Sequence, residues 1–241
     1  MSRAQPTLGT PAHLLVVTAD RFAETAAEAI AGVLTAALEG GDEASMALAG
    51  GSTPRPVYEL LARHPELPWR RIRLFFGDER AVPPEDEDSN YRMARETLVE
   101  HLPEAPAGVY RIEAEREDLE AAAADYADLL PRRLDLVLLG IGEDGHCASL
   151  FPGSPALAER RRRVVPVVGP KPPPRRLTVT PPVITGAGQT LVMAAGAGKA
   201  EAVARCLEGP VDPPSCPVQL ARRGIWVVDE EAAGALARER T

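Results

Sequence analysis

The chain predicts an α/β fold built on a mostly parallel, doubly wound sheet with helices on both faces. Three observations carry this expectation. Short apolar runs alternate with helical patterns along all 241 residues, the order that a parallel sheet with crossover helices requires. The run LDLVLLG, Leu134 to Gly140, is apolar apart from Asp135, as suits a strand covered on both faces. Glycines follow three of the strand-like runs, at Gly50 and Gly51, at Gly140 to Gly145 and at Gly196 and Gly198, where a Rossmann-like sheet places its ligand crevice.

The elements follow in order. An apolar strand is expected near 14–18, then a helix near 20–38, where Phe22, Ala26, Ile30, Leu34 and Leu38 recur on one face. A small-residue strand near 45–49 ends at Gly50 and Gly51; Ser52 or Thr53 is expected to cap the helix near 54–63, with Pro54 in its first turn. A strand near 72–76 leads into Asp78, Glu79 and Arg80, and Ser89 caps a helix near 90–101. A helix near 117–130 precedes the strand near 134–140. Strands near 164–168 and 176–180 flank the stiff proline-rich stretch Pro170 to Pro174, which carries Lys171. A strand near 190–194, a helix near 198–207, a strand near 225–228 and a helix near 230–238 complete the pattern. Trp69 and Trp226 fall in or beside apolar runs and are expected in the core. No repeat or low-complexity linker divides the chain, so residues 1–241 read as one domain.

Composition excludes several functions. A net charge of −8, with no basic stripe carrying aromatics, argues against a general nucleic-acid surface, so an anionic ligand would need a local cationic pocket. The three cysteines, Cys147, Cys206 and Cys216, contain no CxxC pair. This argues for a reducing, cytoplasmic setting and against a disulfide framework or a zinc cluster, and no metal or cofactor is expected. The short apolar run at the start suits neither a signal peptide nor a membrane span, and no obligate protein partner is indicated.

The chemistry concentrates in three loops. After the strand near 134–140, GIGEDGHCASLFP delivers His146 flanked by acids, the way an α/β enzyme presents a general base. An imidazole titrates near neutrality, and an adjacent carboxylate selects its tautomer; Asp144 and Glu143 are both candidates for that role. Cys147 is read as packing, because adjacent residues rarely aim both reactive tips at one atom. In LAGGSTP, Gly50, Gly51, Ser52 and Thr53 precede a helix N-terminus, whose free N–H groups and dipole favour a phosphate. In FFGDER, Asp78 and Arg80 stand at a strand end facing the same crevice, whereas Glu85 to Asp88 read as a solvated loop. Lys199, in AAGAGKA, is placed to reach a sugar phosphate. That segment is no P-loop, since Met193 holds the first glycine position and Ala200 follows the lysine. Gly140, Gly142 and Gly145 satisfy a dinucleotide pattern, but the next strand ends in Gly169 and Pro170 rather than in an acid for a ribose.

Five ordered blocks, LAGGSTP, FFGDERAVP with SNYRMARE, GIGEDGHCASLFPG, KPPPRRLTVTPPVI and GAGKA, resemble the 6-phosphogluconolactonase family across nearly the whole chain. The resemblance implies a fold like that of glucosamine-6-phosphate deaminases and ribose-5-phosphate isomerases. It also implies hydrolysis of 6-phospho-D-glucono-1,5-lactone in the oxidative pentose phosphate pathway. On that likeness His146 matches the base, Arg80 the DER block, and Lys171 and Arg176 the KPP block. Arg80 is left to hold either the phosphate or the carbonyl oxyanion, since its planar fork suits both. Cys147, Arg175 and Thr185 depart from residues frequent in the family. An amino-sugar-phosphate deaminase or isomerase would be expected to carry Asp-Glu-Tyr and Asn-Gly-His, where this chain has Asp78-Glu79-Arg80 and Asp144-Gly145-His146. A non-catalytic sugar-phosphate sensor of the same fold is the remaining alternative.

Overall fold

Seven parallel strands run side by side through the computed structural model, which describes residues 13–65 and 67–237. The strands among the described residues are β1 (His13–Val17), β2 (Ala44–Leu48), β3 (Ile72–Phe76), β4 (Asp78–Arg80), β5 (Gly108–Val109), β6 (Leu136–Gly140), β7 (Val164–Val168), β8 (Arg175–Val179), β9 (Gln189–Ala194) and β10 (Ile225–Asp229). The helices are α1 (Ala19–Glu39), α2 (Pro54–Leu61), α3 (Asn90–Thr97), α4 (Leu119–Leu129), α5 (Pro181–Thr185) and α6 (Ala200–Leu207). The large sheet has the order β1-β10-β9-β6-β2-β3-β5. Every residue of β2 is buried, so both faces of the sheet's middle are covered, as the parallel arrangement requires. From β2 the chain order runs outward through β3 to β5, and from β6 it runs the other way through β9 to β10. The β2/β6 border is therefore the switch point, where loops diverge to either face and leave a crevice.

Local chemistry sets the elements as expected in most places. Phe22, Ala26, Ile30, Leu34 and Leu38 of α1 are buried together, one stripe of a long amphipathic helix. Ser89 Oγ accepts from Arg92 N at 3.1 Å and so caps α3. Asp118 Oδ1 likewise caps α4 through Ala121 N at 3.0 Å. Trp69 and Trp226 are fully buried.

Four expectations are corrected. The strands near 164–168 and 176–180 do not join the parallel sheet; β7 and β8 pair antiparallel with each other, and β4 adds to β8 in a separate sheet of three strands. The physical reason is the connection at 169–174, which is too short for the crossover of about a dozen residues that parallel neighbours need. The short strands β4 and β5 were not anticipated. The helix expected near 230–238 is a run of turns over 230–235, residue 238 lying outside the described residues; one helical bond, Ala233 N to Asp229 O, gives way to three-residue bonds such as Leu236 N to Ala233 O beyond Gly234. Neither Ser52 nor Thr53 caps α2 through its side chain, because Thr53 already has helical backbone angles (φ −59, ψ −42) and its hydroxyl cannot turn back.

Candidate active site

The carboxyl ends of β2, β3 and β6 open into a cavity of 220 Å³. Its wall brings together Gly50, Gly51, Ser52, Thr53, Asp78, Arg80, His146, Arg176 and Lys199, nine of the residues singled out from sequence. Asp144 stands behind His146. Lys171 is the exception: its side chain is exposed at the tip of the 169–174 loop, outside the cavity wall, and only its carbonyl turns toward the site, accepting from Arg176 Nη2 at 3.3 Å.

Two tyrosines hold the strand ends from which the site hangs. The buried Tyr58 hydroxyl accepts from Ala49 N at 2.9 Å and donates to Ala49 O at 2.8 Å, fixing the exit of β2 one residue before Gly50. Tyr126 does the same at Phe76, with 2.7 and 2.9 Å, at the end of β3. Desolvation raises both phenols well above their ordinary value, so each remains a neutral donor and acceptor. Gly50 must be glycine, since a Cβ there would fall 1.9 Å from Asn90 Oδ1.

His146 is presented by the loop after β6. Its Nδ1 lies 2.5 Å from Asp144 Oδ1, which also accepts from His146 N at 3.1 Å. Of the two acids, Asp144 faces the ring, whereas Glu143 packs near Gly198 in the neighbouring loop. Partial burial would raise the Asp144 carboxylate, but the hydrogen bonds from the His146 backbone and ring together outweigh it and hold the group below the usual range. With Nδ1 engaged, the imidazole's Nε2 makes no hydrogen bond among the described residues, and the ring lines the cavity. Phe151 packs on the ring with centroids 4.8 Å apart, and Arg176 lies 5.6 Å over the same phenyl face. Cys147 is fully buried, and burial pushes its thiol up, so it is no nucleophile.

The cations come from three different elements. The β4–β8 register sets Arg80 directly opposite Arg176. Like charges opposed across a strand pair destabilise it unless something negative offsets them. Arg176 is 7% exposed, and its burial lowers the guanidinium's affinity for its proton while Asp78 opposes that shift. Asp78 is committed to this framework: its Oδ1 accepts from Asn90 Nδ2 at 3.1 Å and its Oδ2 from Ser149 Oγ at 2.5 Å. Arg176 Nη1 in turn reaches Ser149 Oγ at 3.5 Å. Arg80 donates to Asp88 O and leaves its buried Nε without a partner. Lys199 enters from the loop after β9, which Asp229 braces by accepting from Gly196 N at 2.9 Å. Among the described residues no group of three or more His, Cys, Asp or Glu side chains is arranged to hold a metal ion.

Tyr58, Tyr126, Ser149 and Phe151 carry the site's supporting contacts without having been singled out from sequence. Ser149 and Phe151 lie within the histidine block, so their neighbourhood was visible though their partners, Asp78 and Arg176, were not. The tyrosines carry no local signal, because each acts on a strand end through a helix packed beside it.

A cavity at the switch point of a parallel sheet, walled by three cations and by a histidine held on a carboxylate, defines an α/β enzyme for an anionic small molecule. The comparisons narrow this class. Residues 17–228 match the family described as glucosamine-6-phosphate isomerases/6-phosphogluconolactonase, and the chain belongs to that family. It is 35% identical over 234 residues to a 6-phosphogluconolactonase of Mycobacterium tuberculosis, covering 90% of this chain and 95% of the relative. It is 37% identical over 212 residues to one of Synechocystis, covering 83% and 87%. Among solved structures, the 6-phosphogluconolactonase of Thermotoga maritima superposes with a TM-score of 0.81 at 27% identity, covering 90% of this chain and 99% of that one. That of Trypanosoma brucei gives 0.81 at 30% identity, covering 95% and 100%. A monomeric glucosamine-6-phosphate deaminase, 24% identical with a TM-score of 0.80, shares the fold.

Proposed function

We propose that the protein hydrolyses 6-phospho-D-glucono-1,5-lactone to 6-phospho-D-gluconate, with His146 as the general base. The observation that carries this reading is the His146–Asp144 pair at a cavity that Arg80, Arg176 and Lys199 also line. A lactone is an activated ester, so its hydrolysis needs only a base, oxyanion donors and correct placement. Nε2 of His146 takes a proton from water as the water oxygen bonds to the lactone carbonyl carbon. Asp144 supports the imidazolium that forms. The tetrahedral oxyanion collapses, the bond from that carbon to the ring oxygen breaks, and the ring oxygen takes the proton back from His146. The product is an acid that releases one proton to solvent.

Phosphate recognition is assigned to the Gly50–Thr53 loop at the start of α2 with Arg176 and Lys199. A bound dianion would offset the Arg80–Arg176 opposition and employ the uncapped hydroxyls of Ser52 and Thr53. Arg80 lies between the two tasks and serves phosphate or oxyanion. Lys171, outside the wall, adds attraction at longer range. No helix of the described residues is long and apolar enough to cross a membrane. The proposed setting is the cytoplasm, where the three free thiols stay reduced, with the chain acting as one domain and needing no nucleic acid or obligate protein partner.

The test compares the phosphorylated lactone with gluconolactone, following proton release and subtracting spontaneous hydrolysis. The phosphorylated substrate is expected to be favoured by roughly a hundredfold or more in kcat/KM, the worth of one or two charged hydrogen bonds. His146→Ala is expected to lose roughly a hundredfold in kcat. Equal turnover of both lactones would overturn the phosphate assignment, and a folded, active His146→Ala would overturn the base.

A further inference from the structure

Behind the catalytic loop, on the side away from the cavity, lies a polar cluster that the mechanism above does not use. Arg205, on α6, sends Nη2 to the Asp144 carbonyl at 2.6 Å. The same nitrogen lies 2.8 Å from the point where a Cβ on Gly145 would stand, so the guanidinium presses directly against the turn. The Cys216 thiol lies beside the same turn, where Cys206 first and Arg205 next lower its proton affinity against the opposing effect of burial. Cys216 itself is buried, and its sulfur would sit 3.0 Å from that same Cβ. Val218 N, two residues on, donates to Gly145 O at 3.0 Å.

The loop has little else to hold it in shape. Within it, Gly145 N donates to Gly142 O at 2.8 Å and Gly142 N to His146 O at 2.9 Å, both short-range bonds of a tight turn rich in glycine. Asp144 is the residue whose side chain fixes the imidazole, and its carbonyl is the atom that Arg205 grips. A shift of that carbonyl carries the carboxylate with it. We propose that Arg205 is a positioning residue for the His146–Asp144 pair, clamping the turn from behind while Cys216 packs against the same glycine. The inference rests on the assignment of His146 as the base. A charged donor suits the task, because a hydrogen bond from an ionised group to a carbonyl is stronger than a neutral one.

The test uses Arg205→Met and Arg205→Lys in the full chain, with two readouts. The first is steady-state kinetics on 6-phosphogluconolactone. Arg205→Met is expected to lower kcat roughly tenfold or more, the scale of a sub-ångström to ångström misplacement of a catalytic group, with KM within about twofold of wild type. Arg205→Lys, which keeps a charged donor, recovers most of the loss. The second readout is the Nδ1-bound proton of His146 in ¹⁵N-histidine-labelled protein, assigned by its disappearance in His146→Gln. It is expected to exchange faster in Arg205→Met. Cys216→Ala, which removes the sulfur packed against Gly145 and keeps Arg205, is expected to move both readouts the same way by less, and stands in if Arg205→Met fails to fold. Wild-type kcat with an unchanged His146 resonance overturns the proposal, as does a lower kcat with an unchanged resonance. A loosened resonance with wild-type kcat supports the clamp and overturns instead the assignment of His146 as base.

Discussion

Gly142→Ala offers the sharpest test of the catalytic geometry, because the perturbation is one methyl group and its collision can be named. A Cβ at Gly142 would stand 2.0 Å from His146 Nδ1, 2.2 Å from His146 Cε1 and 2.5 Å from Asp144 Oδ1. The methyl would thus enter the 2.5 Å hydrogen bond that orients the base. Ordinary contact needs about 3.4 Å or more, so the ring must move by about 1.4 Å or leave its partner. A displacement of that size at the reacting group costs roughly a hundredfold in kcat. The phosphate cradle lies on other elements, so KM is expected to stay near wild type. Stability is expected to fall by only about 1–2 kcal/mol, since the broken bond is half exposed to water. The assay is proton release from the phosphorylated lactone with the spontaneous rate subtracted, alongside thermal unfolding. The double variant Gly142→Ala/His146→Ala should lose no more kcat than His146→Ala alone, as both changes disable one device. A folded Gly142→Ala with more than half of wild-type kcat, or losses that multiply in the double variant, would refute the reasoning.

Further outcomes follow from the same geometry. Asp144→Asn, which leaves the ring without its anionic partner, is expected to lower kcat roughly a hundredfold while unfolding at nearly the same temperature. Arg176→Met keeps the packing on Phe151 but removes the charge; kcat/KM should fall roughly ten- to a hundredfold on the phosphorylated lactone and much less on gluconolactone. Prolonged dialysis against EDTA should leave kcat unchanged, and recovery that depends on one added divalent ion would contradict this. Backbone N–H groups of Arg161 and Arg162 and the Arg162 side chain hold the Glu159 carboxylate down to about 2 from an ordinary 4.5. Its folded value is depressed, so its stabilising effect is full above the ordinary value and fades as pH falls toward 2. Glu159→Gln should accordingly flatten the acid-side fall in melting temperature.

The parallel core was legible because its strands are short, apolar and punctuated by glycine, and because helix periodicity is unmistakable in α1. The second sheet was not. Asp78, Glu79 and Arg80 show no alternation of apolar and polar residues, since Asp78 and Glu79 are buried although charged and Arg80 is half-buried, and so β4 looks like a charged loop. The six-residue link at 169–174 did carry the information that β7 and β8 must run antiparallel. At the site, motifs located the groups that face substrate, while the supporting contacts are long-range: Asp78 with Ser149 spans 71 positions and Arg205 with Asp144 spans 61. Spacing along a chain holds no record of such pairs.

The second sheet also explains why the site lies where it does. Strand β3 passes through Gly77 straight into β4, with Gly77 N donating to Leu48 O and Val179 N donating to Gly77 O. One residue thus ties the end of β2, the end of β3 and the start of β4 to β8. The parallel sheet supplies the proposed base, His146, and the Gly50–Thr53 loop at its switch point, and the antiparallel sheet brings Arg80 and Arg176 to the same opening. Two cations could not be held this close on the parallel sheet alone, since its central strands are buried on both faces and admit few charges. On the short antiparallel sheet Arg176 is held by Ser149, which donates to Asp78, and by Phe151, while Arg80 donates to Asp88 O. Phe151 also touches His146, so one phenyl ring packs against both Arg176 and the proposed base. Phe151→Ala should therefore disturb both tasks at once, raising KM for the phosphorylated lactone and lowering kcat, each by roughly tenfold. An effect on only one of the two constants would show that the phenyl ring serves its two neighbours independently.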